Sequence, residues 1–493
     1  MTGPLSPAGG NTDAPRRPPL IFLEKYARTG SGDAMNAATT ARSRSSDGDI
    51  LEISLWFHQP PALSYFCARR HSAAPGYEPE GAAGRFDEGP HVVGAEGRFV
   101  LLRASFFVSH PVKYEYFMYK AGFGEPVSLD PIPFSYSLPR NSDLAVAVVP
   151  RGHGGHEYLL AALAVGFDSL YYKLHIYSSE DKSWTLVKLQ NPIPQLDKVI
   201  TSKLVNLGEG GLVAWVDYLH GMLVCDLHDE TNPTARYIPL PDLLPGNRDE
   251  MQRQLQEVRS GPCTGRYRDL ACINGVLKFI EMKHHVAITT ESPPEKGTIV
   301  LDSDLIMSRQ RKEPEPPVVE SWDGWTAVTW SRTISSAGWE MGIVLDAGDI
   351  VFDNPMDLSP LLSRLKGEAD VGKLAFKHLY SAFPTLSTDG DDVIYLKSST
   401  TKWSDPDARM VALNLGTKRA KAIGDCALAR HWPYIKAFAP CTVPHLTTGK
   451  VSSSASSARD QNHTSIYGGH PGSCEPDNKR QRLLAEKVNH GHY

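Results

Sequence analysis

The sequence lacks the features by which most enzymes and membrane proteins are recognised. A G-x-S-x-G nucleophile elbow, a Walker A loop and a G-x-G-x-x-G loop after a strand are all missing from its 493 residues. The longest apolar run, residues 159–167, is stopped by Asp168 and is far shorter than the roughly 20 residues needed to cross a bilayer. We therefore expect no enzyme activity, no cofactor and no membrane-spanning segment.

Paired cysteines are missing as well. The seven cysteines are odd in number and never form a C-x-x-C pair, which argues against a disulfide framework and a structural zinc site. The first 19 residues also lack the apolar core of a signal peptide. We expect an intracellular protein of the cytoplasm or nucleus, not a secreted one. The cysteines are Cys67, Cys225, Cys263, Cys272, Cys426, Cys441 and Cys474.

The chain has no strong excess of charge of either sign. Its formal net charge is −5 and charged residues make up 22% of it, so there is no electrostatic case for binding nucleic acid or an anionic membrane. Glycine and proline are plentiful, at 41 and 37 residues. This composition favours many short strands joined by turns over long helices.

Paired β-strands account for most of what the sequence does contain. Residues 204–241 hold two apolar runs around His220-Gly221, as one blade of a β-propeller does. Residues 171–189 and 267–281 repeat the hairpin pattern, the latter around Asn274-Gly275. We predict a mainly β, propeller-like arrangement of antiparallel hairpins, with a β-sandwich pair as the alternative. The hairpins are centred near Tyr172, Trp215, Cys272, Trp330 and Ile394.

Helices and disordered segments are expected to be few. Residues 245–260 are the best helical candidate but are polar nearly all round, so we predict a surface excursion. A short helix is predicted at 356–365 and a strand at 299–306. Four parts follow from these patterns: a disordered N-terminus (1–18), an N-terminal β part (19–150), a propeller-like region of the same domain (151–445) and a disordered tail (446–493).

The candidate site residues lie in and around the 204–241 stretch. Trp215, Asp217 and Asp226 are candidates for a polar-aromatic pocket, although a core tryptophan and two turn-capping aspartates are the favoured explanation. Arg236 is a candidate ligand contact or a solvated edge charge.

Two further motifs resemble metal sites but have the wrong spacing. The HGGHE segment at 153–157 lacks the helical i, i+4 histidines of a zinc hydrolase. Residues 389–392 lead straight into a strand, unlike a calcium loop. We therefore expect no metal.

Several short sequence segments, taken together, resemble one family. The chain resembles the DUF1618 family over residues 19–445, although 337–340 depart from the family pattern and the 74–89 loop is specific to this chain. The resemblance implies a grass protein with a β-rich domain similar to F-box-associated propellers, and no assigned catalytic residue or cofactor. The segments that carry it lie at 63–67, 101–103, 174–179, 215–226, 236–241, 273–275, 323–325 and 379–395.

Three functions are compatible with these observations. The first is a non-enzymatic protein-interaction module, monomeric, whose loops 74–89, 245–260 and 307–320 bind an unknown protein partner. The second is a small-molecule-binding protein or hydrolase with inward-pointing carboxylates or histidines at the propeller channel. The third is a ubiquitin-ligase receptor, which lacks support because no F-box helices precede the domain.

Overall fold

A computed structural model gives the fold of most of the chain. The chain divides into two units, Met1–Thr447 and Thr448–Tyr493, and the second lies outside the described residues. The described residues are 20–29, 35–72, 86–106, 113–122, 126–133, 145–152, 156–164, 170–193, 199–208, 211–257, 264–290, 318–353, 376–390, 392–400, 408–425 and 438–442.

The described residues form six β-sheets, numbered here along the chain. Sheet 1 contains β1 (Leu20–Glu24), β2 (Ala41–Arg44), β3 (Ile50–Trp56), β4 (Leu63–His71) and β26 (Phe438–Thr442). Sheet 2 contains β5 (Glu88–Glu96), β6 (Phe99–Ser105), β7 (Glu115–Lys120) and β8 (Ser128–Ile132). Sheet 3 contains β9 (Val146–Arg151), β10 (Glu157–Ala164), β11 (Tyr171–Ser178) and β12 (Ser183–Gln190).

The other three sheets follow the same plan. Sheet 4 contains β13 (Lys203–Asn206), β14 (Leu212–Asp217), β15 (Gly221–Asp226) and β16 (Thr234–Pro239). The helix α1 (Pro245–Glu257) leads to sheet 5, which contains β17 (Arg268–Ile273), β18 (Val276–Thr290), β19 (Val318–Thr333) and β20 (Glu340–Asp346). Sheet 6 contains β21 (Val351–Phe352), β22 (Tyr380–Leu386), β23 (Val393–Ser399), β24 (Arg409–Asn414) and β25 (Arg419–Asp425).

The middle strands are apolar on both faces because each sheet packs between two others. In β14, Val213 and Trp215 pack against sheet 3, whereas Ala214 and Val216 pack toward sheet 5. Successive side chains point to opposite faces of a strand, so burial of both faces requires a continuous apolar run. This explains why the hairpin strands appear in the sequence as continuous apolar runs rather than as alternating apolar and polar residues.

Six clusters of buried apolar side chains connect the sheets in a cycle. Five of them join sheets 1 and 2, 2 and 3, 3 and 4, 4 and 5, and 5 and 6. The sixth joins sheet 6 back to sheet 1, where Phe22 meets Tyr395 edge to face at 4.6 Å. The sheets therefore form a ring, and the mainly β, propeller-like fold predicted from the sequence is confirmed.

A strand from the far end of the sequence completes sheet 1. β26 pairs antiparallel with β1, and β1 lies parallel to β4. β26 also contacts β5, the first strand of sheet 2. Because β5, β9, β13, β17 and β22 contact one another in that order, they and β26 line the centre of the ring.

The two ends of the ring differ in the length of their connections. Gly94 lies against Val146 and Gly97 against Pro150, so β5 and β9 run in the same direction. One end of the ring lies where the inner strands of sheets 2–6 end. The loops at that end contain at most seven residues each. At the end where the inner strands begin, connections span 72–87, 240–267, 291–317 and 353–379. We call this end the connection face.

Several sequence predictions hold, and some need correction. The hairpin at 267–281 turns at Asn274 and Gly275 with φ of 53° and 75°, as an Asn-Gly turn requires. The predicted repeat is wrong at one point, because Cys272 and Trp330 lie in the same sheet. The predicted helix at 356–365, the strand at 299–306 and the 1–18 and 446–493 segments lie outside the described residues.

The helix predicted at 245–260 exists as α1 but is not simply a surface excursion. Asn247 and Met251 are buried in its first two turns. The Asn247 amide donates to the carbonyl oxygen of Met282 at 2.7 Å, which fixes the start of the helix to sheet 5. A polar helix persists here because buried hydrogen bonds hold it, as an isolated one would not.

Candidate functional site

The connection face carries a buried carboxylate on its inner strands. Asp269 lies at the second position of β17 and is fully buried. Its Oδ1 accepts hydrogen bonds from Lys203 Nζ at 2.8 Å and from the Tyr218 hydroxyl at 2.7 Å. Its Oδ2 accepts from the backbone N–H of Leu386 at 2.9 Å. One carboxylate therefore connects sheets 4, 5 and 6.

The residue before it makes a second buried ion pair. Arg268 donates to Glu281 Oε2 at 2.6 Å, and both side chains are fully buried. The guanidinium also donates to the carbonyl oxygen of Tyr218 at 2.6 Å. The other oxygen of Glu281 accepts from the Asn247 amide at 2.7 Å, so this pair fixes α1 to the ring.

Burial determines how these groups titrate. Burial raises the pKa of Tyr218 well above its usual value, and the adjacent Asp269 carboxylate raises it further. Burial also lowers the pKa of Arg268, an effect that the Glu281 carboxylate opposes. Tyr218 therefore remains a neutral hydrogen-bond donor at neutral pH, which is the form that Asp269 needs.

This cluster meets part of the expectation for a small-molecule site at the ring centre. Asp269 is a carboxylate on an inner strand beside a tyrosine of shifted pKa. Its two oxygens, however, already accept three hydrogen bonds from fixed donors of the same chain. A carboxylate held in this way joins sheets together, and its geometry offers no free oxygen toward a substrate.

The residues predicted for a polar-aromatic pocket do not come together. Trp215 is fully buried in the cluster between sheets 3 and 4, and its indole N–H has no hydrogen-bond partner among the described residues. Asp217 and Asp226 lie at opposite ends of the β14–β15 hairpin, since Asp217 pairs with Gly221 and Asp226 with Leu212. Arg236 lies on the outer strand β16 with its side chain exposed.

The two aspartates serve turns at the two ends of that hairpin. Asp217 Oδ1 accepts from the N–H of Leu219 at 2.8 Å, and its Oδ2 lies 3.1 Å from Nδ1 of His220. Asp226 Oδ1 accepts from the N–H of His228 at 2.9 Å. This is the turn-capping role that Asp commonly has.

No three histidine, cysteine or acidic side chains in the described part of the chain are arranged to hold a metal ion. His156 is exposed ahead of β10, and His153 lies outside the described residues. Asp392 forms an exposed ion pair with Lys278 at 2.6 Å. In that described part, too, no helix is long and apolar enough to span a bilayer.

The sequence patterns did not identify these buried charged residues, although the sequence contains an indication of them. Arg268 and Asp269 are adjacent charged residues at the start of the apolar run at 267–281. Two neighbouring charges in a strand with both faces buried must each find a partner. Those partners, Glu281 and Lys203, lie 13 and 66 residues away, and only the fold brings them close.

The described strands define a propeller-like β protein, and the comparisons with known proteins give its family resemblance. Residues 215–395 match the family model described as "Protein of unknown function (DUF1618)". Over these residues, the match confirms the resemblance to DUF1618 that the sequence indicated.

The other comparisons give less. No curated protein matches the sequence. A similar solved chain comes from the work "Structural and Mechanistic Analysis of Two Prolyl Endopeptidases: Role of Inter-Domain Dynamics in Catalysis and Specificity". The two chains are 11% identical with a TM-score of 0.29, over 83% of this chain and 49% of that one. This chain thus spans about half the length of that relative.

Proposed function

We propose that this protein is a non-enzymatic protein-interaction module whose partners dock on the connection face. The observation that carries the proposal is the contrast between the two ends of the ring in sheets 2–6. One end has connections of at most seven residues, whereas the other has connections as long as 240–267 and 291–317. Long connections on one side of a rigid scaffold are where binding function concentrates.

The proposal extends the three loops that the sequence indicated. The connections 72–87, 240–267 and 291–317 include most of the residues of loops 74–89, 245–260 and 307–320, and all three leave the same end of the ring. Most residues of the connection 72–87 and all residues of 291–317 lie outside the described part of the chain. The second contains α1, which buried bonds from Asn247 to Glu281 and Met282 hold in place.

The proposed location is intracellular, in the cytoplasm or nucleus. Among the described residues, Cys67, Cys225 and Cys272 form no disulfide. Burial raises the pKa of Cys225 to about 12, which keeps its thiol protonated and unreactive. Cysteines that form no disulfide are typical of proteins in a reducing compartment. Because DUF1618 resemblance implies a grass protein, grass tissue is the source in which we expect the partner.

A site-specific photo-crosslinker tests the proposal. Gln252 is exposed on α1 at the connection face, and Lys182 is exposed in the turn between β11 and β12 at the opposite end. We expect the full chain with benzoylphenylalanine at 252 to capture a specific partner from grass-tissue extract, and the same probe at 182 to capture none. Capture at 182 alone, or at neither position, would falsify the proposal.

A further inference from the structure

We propose that the outer part of sheet 3 binds a partner segment rich in carboxylates and apolar side chains. The surface, here called the lysine face, consists of Tyr171, Lys173, Leu186 and Lys188. This inference rests on the proposed function as an interaction module and adds a second surface to the connection face, on the strand that begins at Tyr171. It concerns strands β11 and β12, whose register and exposure are both described.

The register of the two strands places these side chains on one face of the sheet. In the antiparallel ladder Tyr171 faces Gln190, Lys173 faces Lys188, and His175 faces Leu186. Residues two apart on a strand, and residues directly opposite across a pair, share a face. The other face of the same strands carries Tyr172, Leu174 and Leu189, which are buried against sheet 4.

The two lysines form a like-charge pair, and no described residue supplies a counter-charge. Both side chains are exposed, and neither makes a hydrogen bond or an ion pair with any described residue. Like charges directly opposite in a sheet are destabilising, so an anionic group between them would remove a repulsion and add two attractions. His175 adds no charge here, because burial and the neighbouring Lys173 lower its pKa.

Apolar side chains lie on both sides of the lysines. Tyr171 is 41% exposed and Leu186 is 50% exposed. β12 is the outermost strand of sheet 3. Apolar groups next to a pair of cations favour a peptide that alternates acidic and apolar residues over a simple inorganic anion.

A nucleic acid is the other polyanion that lysines bind, and the observations favour the protein segment. The chain as a whole carries a net charge of −5, which repels a phosphate backbone at long range. Tyr171 and Leu186 offer apolar surface that a phosphate backbone does not use, whereas interfaces between proteins bury such side chains. Nucleic acid is therefore an outcome that the experiment must be able to reveal.

The test places the photo-crosslinker at Leu186 in the full chain and identifies the captured segment by mass spectrometry. The charge-reversal variant is Lys173→Glu with Lys188→Glu. The control variant is Lys278→Glu with Lys418→Glu, which changes the net charge by the same amount on sheets 5 and 6, away from the connection face. We expect capture of a segment with Asp or Glu next to apolar residues, reduced about tenfold in the first variant and less than about twofold in the control.

Four results would overturn the inference. They are no capture at 186, capture of a basic or uncharged segment, capture that nuclease treatment abolishes, and equal losses in the two variants. The probe at Gln252 separates this inference from the proposed function. If 252 captures a partner while 186 does not, the interaction module stands and the lysine face is wrong; if neither does, both are wrong.

Discussion

At the scale of single residues, the clearest feature is that a few buried charges hold the inner strands together. Asp269 is fully buried and accepts from Lys203, Tyr218 and the backbone of Leu386. A buried charge that loses its partner pays the full desolvation penalty, so such groups are far more sensitive to substitution than surface pairs. The effect of replacing Asp269 therefore measures whether the network exists.

We expect Asp269→Ala to lower the free energy of unfolding by about 3 to 5 kcal/mol, because it removes the counter-charge of Lys203 and the acceptor of the Tyr218 hydroxyl in a buried site. Lys203 would keep only its hydrogen bond to the carbonyl oxygen of Leu270. Urea unfolding followed by circular dichroism measures this. Glu340→Ala, on the exposed strand β20, is the control and should change stability by less than about 0.5 kcal/mol. A loss of less than about 1 kcal/mol for Asp269→Ala would show that the network is not formed.

His91 gives a second prediction at this scale, on pH dependence. Burial, helped by the Arg103 charge, lowers the pKa of His91 to about 3. A hydrogen bond with the backbone of Gly89 opposes this shift, but burial outweighs it, and the Glu88 carboxylate lies 3.5 Å from Nδ1. The unfolded imidazole binds a proton below about pH 6.5, whereas the folded one stays neutral. Stability from this group is therefore present above pH 6.5 and is lost as the pH falls toward 3.

Between pH 7.5 and pH 5 this group should cost the wild-type chain roughly 2 kcal/mol of unfolding free energy. His91→Gln should remove that part of the pH dependence, whatever it does to stability at pH 7.5. The measurement is urea unfolding of both proteins at the two pH values. Identical pH dependence in wild type and variant would contradict the assignment of His91 as a buried neutral group.

At the scale of elements, close packing between strands limits the residues that a turn can hold. Gly221 begins β15 directly after the His220 turn. A Cβ at this position would lie 2.6 Å from the carbonyl oxygen of Ile238 and would also overlap the Tyr237 hydroxyl. A backbone carbonyl within a strand cannot move aside, so any side chain here forces the β15–β16 pair apart.

We expect Gly221→Ala to destabilise the protein by about 1 to 3 kcal/mol, the usual range for overpacking in a well-packed site. Gly338→Ala is the matched control, because nothing lies within 4 Å of the added Cβ there. Thermal unfolding of the two variants side by side provides the comparison. Equal melting temperatures would mean that β15 and β16 are not packed as closely as the structure shows.

The individual strands, turns and helix were the part of the fold that the sequence predicted best. Local signals were sufficient for the β11–β12 hairpin and for the Asn274-Gly275 turn. The sequence also located α1, but not its attachment, because the bond from Asn247 to Glu281 joins residues 34 apart. Trp215, Asp217 and Asp226 do not form one pocket, because the two aspartates lie at opposite ends of one hairpin, where each accepts from a turn N–H as the favoured alternative proposed.

At the scale of the whole molecule, sequence patterns could not predict the order of the sheets or the closure of the sheets into a ring. The number of sheets was obscured because Cys272 and Trp330 share sheet 5 while appearing as separate repeats. β1 and β26 are separated by most of the chain, and no local signal sets the register between them. Closure matters for function, because long connections share one face only if the sheets form a ring.

The pairing of β1 with β26 closes the ring and can be tested by disulfide crosslinking. β26 contains a native cysteine, Cys441, that can form one half of the disulfide. Ile21 faces Cys441 in this antiparallel ladder, and Leu23 faces Ala439. Directly opposite residues in such a ladder have Cα atoms about 4.5 to 5.5 Å apart, within the range that a disulfide spans. Ile21→Cys tests the register, and Leu23→Cys is its control at an equally buried position.

After mild oxidation, peptide mapping of the non-reduced Ile21→Cys protein should show a disulfide between positions 21 and 441, and the Leu23→Cys protein should not link to 441. No link in Ile21→Cys, or equal links in both proteins, would contradict the closed ring of six sheets and with it the shared face for partner binding.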